Sequence, residues 1–415
     1  MVSKIIILML FKQLLLTVII LATCCRGICE QSEIPVGKAS EEGMDEAKLL
    51  DLAKRIEDDQ RLPIFSLLIS KNGKLVFELY TGQIKSDESH YLMSVTKSVL
   101  STLVGIAIDQ GKIPSTTTPI SDLAPAKLFK NKMDIKDFEK INLKNVMGMS
   151  ALNTPDPPRD MSSSAIERQS NYLKARNYLE FTLGMPLLKN IGTDFLYNDE
   201  TPSLASGVLS YKTQLSAFDY GCQTLFKDLE CKNMEWMHQD LTGINMGGYG
   251  LRLRPVDMQK IGITILQKGK WKDKQVISSQ WVEKIFQPYI SNAGDEAPSN
   301  YGWYWWHQNY GSGKAFLEAN GWKGQRIAIQ PELGLVVTMT GCLEPEKFNE
   351  GSIFAELMAK YIVPAAEGPS TSAPDNSIEI LLQKINKGQA RHNRAMEIRM
   401  IPSVRPKEKA IRFRP

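Results

Sequence analysis

Histidine and cysteine are scarce in this sequence, and their scarcity removes several chemistries. The histidines are His90, His238, His307 and His392, and none stands in a context that suggests a Ser-His-Asp triad. No Gly-x-Ser-x-Gly elbow occurs, which argues against the α/β-hydrolase design. No His-Glu-x-x-His, no paired-cysteine spacing and no glycine-rich phosphate loop is found, so neither a metal nor a cofactor is implied. Three of the six cysteines fall within residues 24–29; the others are Cys222, Cys231 and Cys342. Their odd number and wide spacing are not those of a disulfide scaffold, so three thiols are expected, with a Cys222–Cys231 pair as the alternative. A charge field of one sign is also missing. The formal net charge is +4, but the stretch from Glu367 onward holds ten Lys/Arg against five Asp/Glu, which leaves the rest of the chain near neutral. A nucleic-acid partner is therefore not expected.

What is present begins with a leader. Lys4 and Lys12 precede the apolar run Leu14–Thr23, followed by CCRGICE. A basic start, a short apolar run and small residues afterwards fit a secretory signal peptide, cleaved after Gly27 or Cys29. An uncleaved membrane anchor over Ile5–Thr23 and a lipoprotein-like box at Leu21-Ala22-Thr23-Cys24 are the alternatives. Each would export the body as a periplasmic, secreted or membrane-attached protein. The remaining text divides into a domain over residues 30–366 and a basic, disordered tail over 367–415, announced by GPSTSAPDNS.

The domain reads as α+β. IFSLLISKNGKLVFELYTG (64–82) has two β-rich runs around Asn72-Gly73, a strong signal for a tight hairpin. Strand patterns return only at the far end, in KAFLEANGW, QRIAIQP and LGLVVTMTG, and FNEGSIFAELMAKYIVPAA closes the domain as a helix. Helical patterns and long loops fill the middle. This order suggests one antiparallel sheet built from both chain ends, flanked by terminal helices, with a helical lobe inserted.

Residues 90–113, HYLMSVTKSVLSTLVGIAIDQGKI, form an apolar helix that carries Ser94 and Lys97 near its start. At i and i+3 they share a helix face. A serine hydroxyl becomes a good nucleophile when a base takes its proton, and a lysine whose pKa is lowered by burial among Val95, Leu100 and Val104 could be that base. Backbone N–H groups at the helix start could hold a developing oxyanion. The plain alternative is a helix-capping serine and a lysine that snorkels to solvent.

The text around this pair resembles the nucleophile helix of the serine β-lactamase-related hydrolases, nearest to the class C, esterase and 6-aminohexanoate-oligomer hydrolase branch. Further blocks follow in order: INLKNVMGMSAL (141–152), GTDFLYNDETPSLASGVLS (192–210), GGYGLRLRPVDMQKIGITILQKGKWKDKQVISSQWV (247–282), YGWYWW (301–306) and NGWKGQRIAIQPELGLVVTMTG. The resemblance implies the two-lobe β-lactamase/transpeptidase-like fold. It implies Ser94 as the acylated nucleophile, Lys97 as its base and Tyr197 as a proton relay. The third motif would be Ala319-Asn320-Gly321, with Gly321 allowing substrate approach and the N–H of Trp322 joining that of Ser94 in an oxyanion hole. Asn198, Asp199 and Asn320 would border the substrate.

Three departures from the family pattern bear on function. Tyr197-Asn198-Asp199 stands where Tyr-x-Asn is common, which puts the polar bridge to Lys97 in question. Ala319 stands where β-lactamases carry a lysine or histidine for the substrate carboxylate, with Lys314 and Lys323 nearby in sequence. Glu318 would repel an anion if it faced the site. Together these favour a small-molecule ester or amide without that carboxylate. The alternatives are a β-lactamase or DD-peptidase acting on lactams or cell-wall peptides, and a catalytically weak envelope sensor on the same fold. Trp303, Tyr304, Trp305 and Trp306 would wall an acyl pocket or pack the sheet, alternation giving half of them to each face.

Overall fold

The computed structural model describes residues 33–388, apart from 60–61, 82–83, 126–127, 129–137, 155–161, 292–299, 312, 344–349, 370–372 and 374–375. The expected leader (1–29) and the tail beyond 388 lie outside the described residues.

In chain order the strands are β1 (Ile64–Lys71), β2 (Lys74–Tyr80), β3 (His90–Tyr91), β4 (Glu235–Trp236), β5 (Leu251–Leu253), β6 (Lys270–Trp271), β7 (Lys274–Gln275), β8 (Asn300–Gly302), β9 (Trp305–Asn309), β10 (Ala315–Gly321), β11 (Gln325–Gln330) and β12 (Leu335–Gly341). The main sheet runs β2-β1-β12-β11-β10-β9-β8, all antiparallel. The N-terminal hairpin thus joins the C-terminal meander, with Leu68 opposite Thr338 and Lys71 opposite Leu335. Small sheets β3-β5-β4 and β6-β7 belong to the inserted lobe. At the first hairpin Asn72 and Gly73 have φ of 54° and 81°, the left-handed pair that a two-residue type I′ turn requires.

Helices important to the site and the core are α1 (Glu46–Asp58), α2 (Val95–Asp109), α3 (Ser163–Leu173), α4 (Thr201–Thr213), α5 (Pro255–Leu266), α6 (Glu350–Leu357) and α7 (Ser377–Gly388). α1 starts at Asp45, whose carboxylate accepts from the N–H groups of Ala47 and Lys48. α2 is buried on all sides from Val95 to Ala107, as expected of a helix between a sheet and a helical lobe.

The two faces of the sheet support two cores. Leu317, Ala319, Ile327, Ile329 and Val336 face α2 and the helical lobe. Phe316, Ala328, Leu335, Val337 and Met339 face α1 and the terminal helices. These front and rear faces alternate residue by residue along each strand. After α6 the terminal helix widens into a π-turn over Met358–Ile362 before continuing as Val363–Glu367. Pro364 follows immediately; it has no N–H to close the ordinary helical bond, and the wider turn accommodates the loss.

Two expectations need correction. First, Ser377–Gly388, within the expected tail, is not loose but forms α7. α7 packs on α1 and β2, with Ile385 2% exposed and Ile378, Leu381 and Leu382 against the rear core. Its apolar spacing outweighs the polar flanks that suggested disorder. Second, Trp303-Tyr304-Trp305-Trp306 is not one strand. Gly302 pairs with Trp305, so Trp303 and Tyr304 form the turn, with φ of 58° and 64°. Bulky residues seldom occupy this region. Packing holds them there. Tyr304 N–H donates to Met147 O at 2.8 Å, its carbonyl accepts from Ser98 Oγ at 2.6 Å, and the Trp303 ring meets Tyr289 and Trp281 edge-on. The hairpin tip is driven into the helical lobe and braces α2. Among the described residues Cys222 and Cys231 are free thiols and do not pair with each other.

Candidate active site

The site forms where the start of α2 meets the end of β10. Met93, with φ 48°, turns the chain sharply out of β3 and into the helix. Ser94 occupies the N-cap position, but its side chain caps nothing. Its Oγ instead accepts a hydrogen bond from Lys97 Nζ at 2.9 Å. Lys97 does not snorkel. It is 1% exposed and also donates to Asp199 Oδ1 at 2.6 Å and to Gly248 O at 2.9 Å. The Tyr197 ring centroid lies 4.8 Å from Nζ, and the phenol is a further hydrogen-bond partner of the amine. Four groups from three segments of the chain therefore converge on one ammonium group.

This convergence reverses the expected titration of Lys97. Burial pulls its pKa down, but the charge and hydrogen bond of Asp199, with Tyr197 beside it, outweigh burial and hold the pKa above the ordinary lysine value. The polar bridge questioned at the sequence level is present, and it is an ion pair. Asp199 makes it, while Asn198 points elsewhere. Asn198 is fully buried, donates to Leu196 O and accepts from Thr201 N–H at the start of α4. It shapes the turn and does not border the site. Gly248 permits the close approach, since a Cβ there would lie 2.7 Å from Asp199 O. Sequence reasoning missed Gly248; the adjacent pair Gly247-Gly248 was its only signal.

On the other side, Gly321 brings β10 against the turn before α2. A Cβ at Gly321 would stand 2.4 Å from Leu92 O and 3.2 Å from Ser94 N. Among the described residues, neither Ser94 N–H nor Trp322 N–H donates to any protein group. Two open amides at such a junction can receive an oxyanion. The Trp322 ring is 52% exposed, with Lys323 Nζ 4.6 Å from its centroid.

Alternation along β10 decides what else faces the site. Ala319 lies on the front face and is fully buried, so the third motif offers no cation. Lys314 forms an ion pair with Glu332 at the opposite end of the strand. Glu318 and Asn320 lie on the rear face. Glu318 does not confront a substrate; it pairs with Arg326 at 3.3 Å and accepts from Tyr310 OH. Burial raises its carboxyl to about 7 against the pull of Arg326 and a hydrogen bond from Asn320. The Asn320 side chain is thus engaged behind the sheet.

Of the aromatic cluster, only Trp306 adjoins the site. Its ring lies 5.6 Å from that of Tyr197 and 6.0 Å from that of Phe195, with Tyr301 behind them. Trp303, Tyr304 and Trp305 are buried in the front core. His307 is buried and held to about 4 by desolvation. Among the described residues, no group of three or more His, Cys, Asp or Glu is placed to hold a metal ion.

Known proteins share this architecture. Residues 49–349 match the family described as beta-lactamase. A 6-aminohexanoate-dimer hydrolase of Paenarthrobacter ureafaciens is 22% identical over 70% of this chain and 74% of its own. A penicillin-binding protein homolog from Caulobacter crescentus superposes with TM-score 0.60 at 11% identity, over 79% of this chain and 98% of that one. Simvastatin synthase from Aspergillus terreus superposes with TM-score 0.60 at 14% identity, over 77% and 98%. The chain belongs to the beta-lactamase family, and it is a serine hydrolase of that fold.

Proposed function

We propose that this member of the beta-lactamase family cleaves an uncharged ester or amide through an acyl-enzyme on Ser94. The observation that carries the reading is the bond from Lys97 Nζ to Ser94 Oγ inside the ion pair with Asp199. Ser94 Oγ attacks the substrate carbonyl carbon. Its proton passes to Lys97 Nζ as one ammonium proton passes to Asp199, so the charge on the lysine is unchanged. The carbonyl oxygen, now negative, rests on the amides of Ser94 and Trp322. When the carbonyl re-forms, the leaving oxygen or nitrogen departs with a proton delivered through Tyr197 and Lys97. Water then attacks the acyl-serine by the same steps, releasing the acid and restoring Ser94.

The substrate class follows from what lines the site. With Ala319 at the head of the third motif, that position supplies no cation for a substrate carboxylate, which weighs against lactams and cell-wall peptides. Trp306, Phe195 and Tyr197 offer an apolar wall. The relative named for the 6-aminohexanoate dimer makes a short linear amide the first amide to test. The basic start and apolar run of the expected leader support export, to the periplasm or as a secreted protein, membrane-anchored if the leader is retained.

The test compares the full chain with Ser94→Ala. A fluorophosphonate adduct on Ser94, absent from the folded variant, together with turnover of aryl esters, is the expected result. A folded wild-type protein that takes up no probe would favour a silent binding role, with the Lys97–Asp199 pair as a lock. Rapid hydrolysis of a chromogenic cephalosporin would favour a β-lactamase.

A further inference from the structure

Behind the proposed oxyanion site lies a buried charge that the catalytic steps leave unused. Arg326 on β11 stands opposite Asn320 on β10 and is 3% exposed. Alternation puts it on the rear face, with Ala328, and its guanidinium carbon lies 5.7 Å from the Phe354 ring of α6. From there Nη1 donates to Gly321 O at 2.8 Å and to Gln325 O at 3.0 Å. These carbonyls flank the turn Trp322-Lys323-Gly324. Glu318 holds the guanidinium at 3.3 Å, and Tyr310 OH holds Glu318.

A peptide group is planar and trans, so its C=O and N–H point in opposite directions. The carbonyl of Gly321 and the N–H of Trp322 belong to the same peptide. With the carbonyl held from the rear, the N–H is directed to the front, where the missing Cβ of Gly321 would lie 3.2 Å from Ser94 N. A charged donor on the carbonyl also polarises the peptide and makes its N–H a stronger donor. We propose that Arg326 is a positioning residue for the oxyanion site, aiming and polarising the Trp322 amide through its grip on the Gly321 carbonyl, with Glu318 and Tyr310 as the brace. The inference rests on the reading of Ser94 as the acylated residue. A plain strand-stapling ion pair would need only Glu318; the bonds to the two turn carbonyls extend the role of Arg326 to the amide beside Ser94.

The experiment uses the full chain as wild type, Arg326→Lys, Arg326→Met, and the double variant Glu318→Gln/Arg326→Met, which removes the carboxylate that the single Met variant leaves buried and unpaired. Four quantities are read: the rate of Ser94 labelling by a fluorophosphonate, kcat and KM on an aryl ester, and the affinity of an arylboronic acid, which becomes tetrahedral on the serine. Removing the grip is expected to lower kcat, labelling rate and boronate affinity together by about tenfold to a hundredfold, below the loss for deleting an oxyanion donor outright. KM should stay within about twofold, because planar substrate does not use the aimed amide. Arg326→Lys should recover part of the loss. The double variant should melt near the wild type and remain slow. A double variant that folds, labels at the wild-type rate and keeps its boronate affinity would overturn the inference while leaving Ser94 as nucleophile. A wild-type protein that does not label at Ser94 overturns the underlying reading and this one with it.

Discussion

Lys97 Nζ is bonded to Asp199 Oδ1 at 2.6 Å and to Ser94 Oγ at 2.9 Å, so the amine that stands beside the serine is already a cation with its counter-charge in place. A buried lysine without such a partner would lose its proton readily. In the proposed mechanism the base is therefore the pair.

Asp199→Asn separates the two members of that pair. Wild-type activity is expected to be flat over roughly pH 6 to 9, because the carboxylate takes up the proton that Lys97 sheds. In the variant the acceptor and the charge that raised the lysine pKa are both gone, so burial pushes that pKa down and the amine must itself be neutral. Activity should fall on the order of a hundredfold at neutral pH and climb as pH rises. A pH profile of kcat/KM checks this; an unchanged flat profile would exclude Asp199 from proton transfer. Stability follows the lysine in the other direction. A raised lysine pKa contributes stability below its unfolded value and loses it as pH climbs through the folded one, so the pair holds across the neutral range.

Gly321→Ala tests the junction of β10 with the turn before α2. The added Cβ would meet Leu92 O at 2.4 Å, and a backbone atom cannot swing aside. We expect a loss of about 1–3 kcal/mol in stability and near-complete loss of Ser94 labelling. Denaturant midpoints and the probe rate measure the two. Wild-type labelling in this variant would show that the strand can retreat without cost to the site.

Trp306→Ala opens the wall beside Tyr197. An aromatic partner contributes about 0.5–1.5 kcal/mol, so kcat/KM for aryl or long-acyl esters should drop roughly twofold to tenfold. Acetyl esters, too short to reach the ring, should change little. An equal drop for both would mean that Trp306 supports Tyr197 and does not select substrate.

Ending the chain after Ala366 removes α7. Ile385, 2% exposed, contributes about 1.5–3 kcal/mol by its burial, and the rest of the apolar stripe adds to it. The denaturation midpoint of that form should fall below that of a chain ending at Gly388. Equal midpoints would restore the expected boundary at residue 366.

Much of this could be read in the sequence, and what could not has physical causes. β1, β2 and the meander announced themselves through β-branched runs and the Asn72-Gly73 turn. The Ser94–Lys97 contact followed from helix geometry. Asp199 and Gly248 could not be joined to Lys97, because contacts across such separations leave no local pattern. The inward turn at Trp303-Tyr304 was hidden because turn chemistry is ordinarily written in glycine and asparagine, and here packing overrides it. The orientation of Glu318, by contrast, was available. With Gly321 facing the serine, parity along one strand sends Ala319 to the front and Glu318 and Asn320 to the rear. Arg326 needed the same parity on a second strand and the register between them.

The sheet places β1 beside β12, with Ile64 opposite Gly341. In synthesis the first hairpin therefore appears long before the strand that will cover its inner edge. At about 5–20 residues per second the wait is on the order of tens of seconds, during which the nascent hairpin has an open side. The polypeptide cannot complete its fold from the ribosome outward in pieces; completion is a late, whole-chain event. A ribosome-tethered chain halted before Leu335 should leave β1 open to protease, and release past Gly341 should close it. The delay makes the last strand, far from the serine in sequence, the timekeeper of the enzyme.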